Sequence, residues 1–293
     1  MEKRIDFRDQ IARNKRKSYF LMAILFVVIV ALGYVITLAT DPGLFFIIMI
    51  IASLFSIGYI WASFYNSHKI AVASVGAKIA SREKYNQYYG LVEGLTLASG
   101  LPMPKLYVMP SKNINAFASG RDPDHAVVCV TEGALEKLDK RELEGVLAHE
   151  LGHIASYDIR YMTLVAVMVG MASIISQLFL RSLWFGGGRG GDKNNAIYLV
   201  IAIVMAIAAP IVVYLVQMSI SRKREFSADA SAVKFTRYPS GLIHALKKIQ
   251  KENYHEEKKV SKAIAPLFIS NPFKGLGKTH PPLERRIAIL EKM

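Results

Sequence analysis

The chain has 293 residues, 52% of them apolar, a single cysteine and a formal net charge of +14. That apolar share, with a positive mean hydropathy of +0.27, lies above the range of ordinary soluble domains, and one cysteine excludes an intrachain disulfide and fits a reducing compartment. The charge raises nucleic acid as a partner, but the basic residues crowd beside apolar stretches with no aromatic stacking pattern among them, which sets that class aside.

Met1 to Ser18 is a basic tail carrying Lys3, Arg4, Arg8, Arg13, Lys15, Arg16 and Lys17, expected to be solvated or to touch lipid headgroups. Tyr19–Thr40 and Leu44–Phe64 then run without a charged side chain, each near the roughly 20 residues needed to cross a hydrocarbon core. Asp41, Pro42 and Gly43 turn the chain between them, giving a helical hairpin. A cleaved signal peptide fits poorly, because the first stretch is long, lacks a small-residue cleavage site and is followed at once by a second.

Residues Ile70–Ser99 read as one helix stopped at Gly100, with Pro102 and Pro104 beyond. A small β region follows, with Leu106–Met109 and Ala126–Val130 as strand-forming runs and a turn at Ser119, Gly120, Arg121, Asp122 and Pro123. Between them, Asn115, Ala116, Phe117 and Ala118 place small residues at alternate positions. Such a strand leaves its backbone open to an added peptide, although an ordinary edge strand would look the same.

The densest chemical signal is GVLAHELGHIASYD, Gly145–Asp158. Asp139 with Glu142 forms a capping pair, and Leu143, Val146, Leu147, Leu151 and Ile154 mark one apolar face, so a packed helix is predicted. On it His149 and His153 stand one turn apart, offering two imidazoles to one ion. Glu150 falls beside the first and can reach a water on that ion as proton acceptor. The competing reading is a pair of surface histidines on an amphipathic helix, but a chance match to this motif in a chain of this length is on the order of one in a hundred.

If that helix continued, His153 would lie about 14 Å along it from the next apolar stretch, at 1.5 Å per residue. Met162–Leu180 and Ala196–Ile220 are the third and fourth uncharged stretches. Gly170 and Ala172 suit close helix approach, Pro210 suits a kink, and the glycine-rich loop Phe185–Asn195 carries no identifiable chemistry. Basic residues number 7 in the tail, 4 in Asn66–Lys84 and 3 directly after Ile220, which by the positive-inside rule puts both termini and the Gly145 helix in the cytoplasm.

Glu225, just past the fourth stretch, returns to the same bilayer face as His153. A carboxylate there is what a three-ligand zinc site with an open fourth position requires, and Asp229 one turn on is placed to hold a histidine ring nitrogen. Ion pairing of these two acids with Arg222–Arg224 is the alternative. Pro239–Glu252 reads as a basic amphipathic helix used for packing. Near the end, His280 precedes Pro281 and Pro282, which suit the start of a helix carrying Arg285 and Arg286.

In this order the motifs resemble the HtpX-type integral-membrane zinc metalloendopeptidases, relatives of the CAAX prenyl proteases. The resemblance implies that His149, His153 and Glu225 bind one Zn2+ and that Glu150 activates the water. It further implies that Asp229 supports a ligand, that His280 and Arg286 stand near the transition-state oxyanion, and that Asn115, Ala116, Phe117 and Ala118 line the substrate. The expected architecture is mainly α: four transmembrane helices (19–40, 44–64, 162–180, 196–220) and a cytoplasmic α+β gluzincin-like domain with a small sheet, assembled from 66–160 and 221–293 after a tail at 1–18. The expected role is cleavage of misfolded or damaged membrane proteins and unfolded polypeptides at the plasma (inner) membrane of a bacterial-type cell, with the bilayer as partner and no nucleic acid. A dedicated processing protease and a non-enzymatic zinc-containing membrane scaffold are the alternatives. The scaffold fits Glu150 badly, since a structural site would complete four protein ligands.

Overall fold

The computed structural model describes residues 7–39, 42–166, 222–252, 267–270 and 281–293. Helix α1 (Phe7–Ala39) and helix α2 (Phe45–Tyr65) are joined through a 3-10 turn at Pro42–Leu44. Among the described residues α2 is the one helix long and apolar enough to cross a membrane, and only 6% of its apolar window is buried. Phe46, Ile50, Leu54 and Trp61 point outward. An apolar surface of that extent is stable in lipid rather than in water.

Helix α1 has 33 residues, about 50 Å at 1.5 Å per residue. It therefore outruns a hydrocarbon core of about 30 Å. Its first turns form part of the protein rather than a solvated tail: Asn14 and Ser18 are buried, on the same 3–4-spaced stripe as Leu21, Leu25 and Ile29. That stripe packs on Tyr161, Leu164 and Val165 of helix α7 (158–166) and on Tyr59, Ile60 and Phe64 of α2. The third expected span beyond residue 166 and the whole of the fourth lie outside the described residues.

The helix expected over Ile70–Ser99 is broken. Helix α3 (Ser67–Ser74) ends at a turn where Gly76 takes a left-handed φ of 64°. The chain then pairs as strand β1 (Lys78–Ile79) before helix α4 (Asn86–Ser99). A strand of two residues is too short to show a period. The stop at Gly100 is present, with φ 71°, a conformation in which a side chain would be strained.

Strands β2 (Lys105–Met109), β3 (Ala116–Gly120) and β4 (Ala126–Thr131) complete a four-stranded sheet of order β1-β2-β4-β3. β2 is parallel to β4, while β1 on β2 and β3 on β4 are antiparallel. β4, central and buried along its whole length, reads as a continuous apolar run because both its faces are covered. β3 is left at the sheet edge.

Helix α5 (Glu132–Lys137) is capped by Thr131, and helix α6 (Lys140–Ala155) by the reciprocal pair Asp139 and Glu142. α6 is buried nearly throughout, packed among the sheet, α4, helix α8 (Arg222–Thr236) and helix α9 (Pro239–Glu252); helix α10 (Leu283–Leu290) closes over α8 and α9. Two glycines set these distances. A Cβ on Gly145 would lie 2.5 Å from the backbone nitrogen of Leu242, and one on Gly152 would lie 3.1 Å from the carbonyl oxygen of Ala228. The second contact draws α8 against α6 beside the histidines.

Candidate metal centre

His149, Glu150 and His153 are all buried on α6. The Nε2 atoms of the two histidines lie 3.2 Å apart and face each other. From α8, Glu225 brings Oε2 to 3.7 Å from His149 Nε2 and Oε1 to 3.6 Å from His153 Nε2. One donor atom from each residue falls within 4.8 Å of the others. Donors bound at about 2.1 Å around a tetrahedral ion stand about 3.4 Å apart. Two facing imidazole nitrogens and a buried carboxylate at this spacing therefore fit a divalent cation, and three protein donors leave a position for solvent.

Each histidine is held from behind by an aspartate. Asp229 Oδ1 lies 2.9 Å from His149 Nδ1, and Asp158 Oδ2 lies 3.2 Å from His153 Nδ1. A proton on Nδ1 shared with a carboxylate leaves the Nε2 lone pair directed at the ion. Sequence reasoning gave Asp158 no role, because it continued α6 past His153. Instead Tyr157 takes a left-handed φ of 59°, and the chain turns so that Asp158 comes back beneath the ring. Ser156 Oγ donates to Asp158 Oδ2 at 2.8 Å, and Asn14 Nδ2 of α1 donates to Asp158 Oδ1 at 2.7 Å and to the Ser156 carbonyl at 2.9 Å. Helix α1 is thus hydrogen-bonded to the aspartate behind His153.

Asp229 is anchored in turn by Arg286 of α10, which donates from Nε at 2.9 Å and Nη2 at 2.6 Å in a fully buried two-point pair. Nη1 of the same guanidinium lies 3.3 Å from Glu225 Oε2. Arg286 therefore stands behind and beside the ligands. Among the described side chains, the cationic partner of Asp229 is Arg286 rather than Lys223 or Arg224.

Burial dominates the electrostatics. It and the Arg286 charge push His149 down to about 4 despite Asp229. Burial opposes charge on His153 as well, but its hydrogen bond to Asp158 and the charge of Glu225 raise it to about 9. Glu150 is raised to about 7, by burial first, with Glu225 adding and His153, the Ala118 backbone and Arg286 opposing. Neither Glu150 oxygen has a well-formed hydrogen bond, although the Ala118 backbone faces it. A buried carboxylate poised near neutrality and left without a strong partner suits proton transfer.

Of the remaining sequence candidates, Ala116, Phe117 and Ala118 form β3 at the sheet edge and Asn115 immediately precedes it. Residues 267–270 lie along that edge, with Phe268 paired to Phe117. His280 lies outside the described residues.

A helix offering two histidines a turn apart with a glutamate beside the first, a third ligand from a later helix and an edge strand alongside defines a metallopeptidase. The chain belongs to peptidase family M48, whose profile matches residues 83–293. It is 42% identical over 291 residues to the Protease HtpX homolog of Caldanaerobacter subterraneus, covering 96% of each chain, and equally to that of Thermoanaerobacter pseudethanolicus, again with 96% of each. The Protease HtpX homolog of Dictyoglomus thermophilum is 40% identical over 98% of this chain and 95% of its own. The crystal structure of S. mikatae Ste24p has the same fold at 19% identity, with a TM-score of 0.52 over 96% of this chain and 66% of that one, so this chain spans about two thirds of its length. The protein is accordingly a metalloprotease of the HtpX type and a hydrolase of peptide bonds.

Proposed function

We propose that the protein is a zinc-dependent endopeptidase embedded in the plasma membrane, cutting misfolded or damaged membrane proteins and unfolded chains on the cytoplasmic side. The observation that carries this reading is the cluster of His149, His153 and Glu225 beside the weakly bonded Glu150. The clustering of basic residues on one side of the apolar stretches supports the cytoplasmic orientation.

His149, His153 and Glu225 would hold the zinc. A zinc ion bound there would supply Lewis acidity to a scissile carbonyl and to a water. Glu150 takes a proton from the water as the water oxygen adds to the scissile carbonyl carbon, and hands it to the amine nitrogen as the C–N bond breaks. Asp229 and Asp158 keep the two rings from rotating, and Arg286 adds fixed positive charge next to Glu225. His280 and Arg286 are assigned to oxyanion stabilisation, Arg286 acting from its place beside the ligands. An extended peptide lies on β3, bonded through the main chain of Ala116 and Ala118 and the side chain of Asn115, so that many sequences are accepted. Glu150→Gln is expected to retain metal and lose cleavage of a loop peptide; undiminished hydrolysis by the pure variant would remove Glu150 from the mechanism.

A further inference from the structure

The outer edge of β3, where the proposed function lays a substrate, is taken by the chain itself. Phe268 pairs antiparallel with Phe117, and the Ile269 N–H donates to the Ala116 carbonyl at 3.0 Å. Asn115 grips the next residue by its backbone alone: Nδ2 donates to the Ser270 carbonyl at 2.8 Å and Oδ1 accepts from the Ser270 N–H at 3.3 Å. Arg286 Nη1 lies 3.4 Å from the Ile269 carbonyl and 3.3 Å from Glu225 Oε2. One nitrogen thus touches both the segment and a residue of the metal cluster.

We propose that Leu267–Ser270 is an internal competitor of substrate: in the resting enzyme it occupies the peptide-binding edge, and a substrate binds by displacing it. The inference rests on the peptidase reading of the site. Every polar contact named above is made to the main chain of the segment, so the same groups serve any extended peptide. Its side chains are what hold it specifically. Leu267, Phe268 and Ile269 are buried, and the Phe268 ring meets that of Phe117 edge-on at 5.0 Å. Phe268 lies in an apolar cluster with Val127, Cys129 and Met162, while Ile269 belongs to the main core. A displacing strand must fill these apolar sites. The substrate class is therefore extended segments with consecutive large apolar side chains, which folded proteins bury and unfolded ones expose. A self-docked state favoured about tenfold over the open one weakens apparent substrate affinity about tenfold, so among the many sequences the main-chain bonds accept, apolar extended segments are favoured over polar ones.

Ile269→Pro in the full-length protein in lipid nanodiscs removes the N–H that bonds Ala116. The expected result is a KM for β-casein lowered about tenfold with kcat little changed; an unchanged or raised KM in a folded variant overturns the proposal. Should the proline disturb folding, hydrogen exchange on Glu150→Gln protein decides the question without any substitution in the segment. Peptides covering 267–270 are expected to be protected at rest and to lose protection as β-casein is added. Protection that persists at saturating β-casein, with the wild type still cleaving it, overturns the internal competitor and leaves the peptidase reading standing. Metal-loaded wild type that cleaves no protein overturns that reading, and this proposal falls with it.

Discussion

Asp158 provides the sharpest test of how the site is built, because it would act on a bound metal only through His153. Its Oδ2 accepts from His153 Nδ1 at 3.2 Å, and its Oδ1 accepts from Asn14 at 2.7 Å. Asp158→Ala frees the ring to turn and removes the charge that raises the basicity of Nε2. Losing a carboxylate behind a metal-binding histidine weakens metal affinity about 10–100-fold, about 1.4–2.8 kcal/mol. The substitution also removes one acceptor from the Asn14 amide, which keeps the Ser156 carbonyl, and one from the Ser156 hydroxyl, which keeps the Gly152 carbonyl, at about 0.5–1.5 kcal/mol of stability. The two effects separate experimentally. Asn14→Ala should lower the melting temperature while changing zinc affinity little, and Asp158→Asn, which can still accept from Nδ1, should recover part of the affinity. Zinc competition against a chromophoric chelator reads the first quantity and thermal unfolding the second. A zinc Kd for Asp158→Ala within about twofold of wild type would refute the orienting role.

Other consequences follow from the same geometry. Arg286→Ala leaves Asp229 buried without its cation and should destabilise by about 3–5 kcal/mol; Arg286→Lys should rescue little, since a single ammonium cannot make the two-point bond, and chemical denaturation reads both. Gly145→Ala drives a methyl group into the Leu242 backbone and should destabilise by about 1–3 kcal/mol without altering metal stoichiometry, which distinguishes packing from chemistry. Glu150, raised to about 7 chiefly by burial, is protonated below that pH and useless as a base, so kcat/KM should rise with pH through an acid limb. A bound cation favours the carboxylate and draws the limb to or below pH 7; a limb well above 7 in a pH profile would assign it to another group.

The parts of the molecule legible in the sequence are those whose signals are local. The α6 helix announced itself through Asp139 with Glu142 and through an apolar face ending at Ile154, all of which are found as read. Glu225 was legible because it directly follows an uncharged stretch, and a reading of two spans between His153 and Glu225 expects it on the same side as His153, beside which it is found. Asp158 was not, because its approach depends on Tyr157 adopting a left-handed conformation that non-glycine residues rarely take. Strand β1 was hidden inside an apparent helix because its partner, β2, lies some thirty residues later, and pairing at that distance leaves no local period. The seating of Leu267–Ser270 on β3 joins residues about 150 apart in the chain, and no composition signal encodes it. Arg286 was assigned a position near the reacting oxygen, whereas its geometry first serves Asp229 and Glu225.

The claim on which the account stands is that Glu225 completes a catalytic metal site with His149 and His153. Metal analysis and β-casein cleavage on the same preparations of wild type and Glu225→Ala test it directly. One zinc per wild-type chain with chelator-sensitive cleavage, and loss of both on Glu225→Ala, is the predicted result; a variant that keeps stoichiometric zinc and full activity would contradict it.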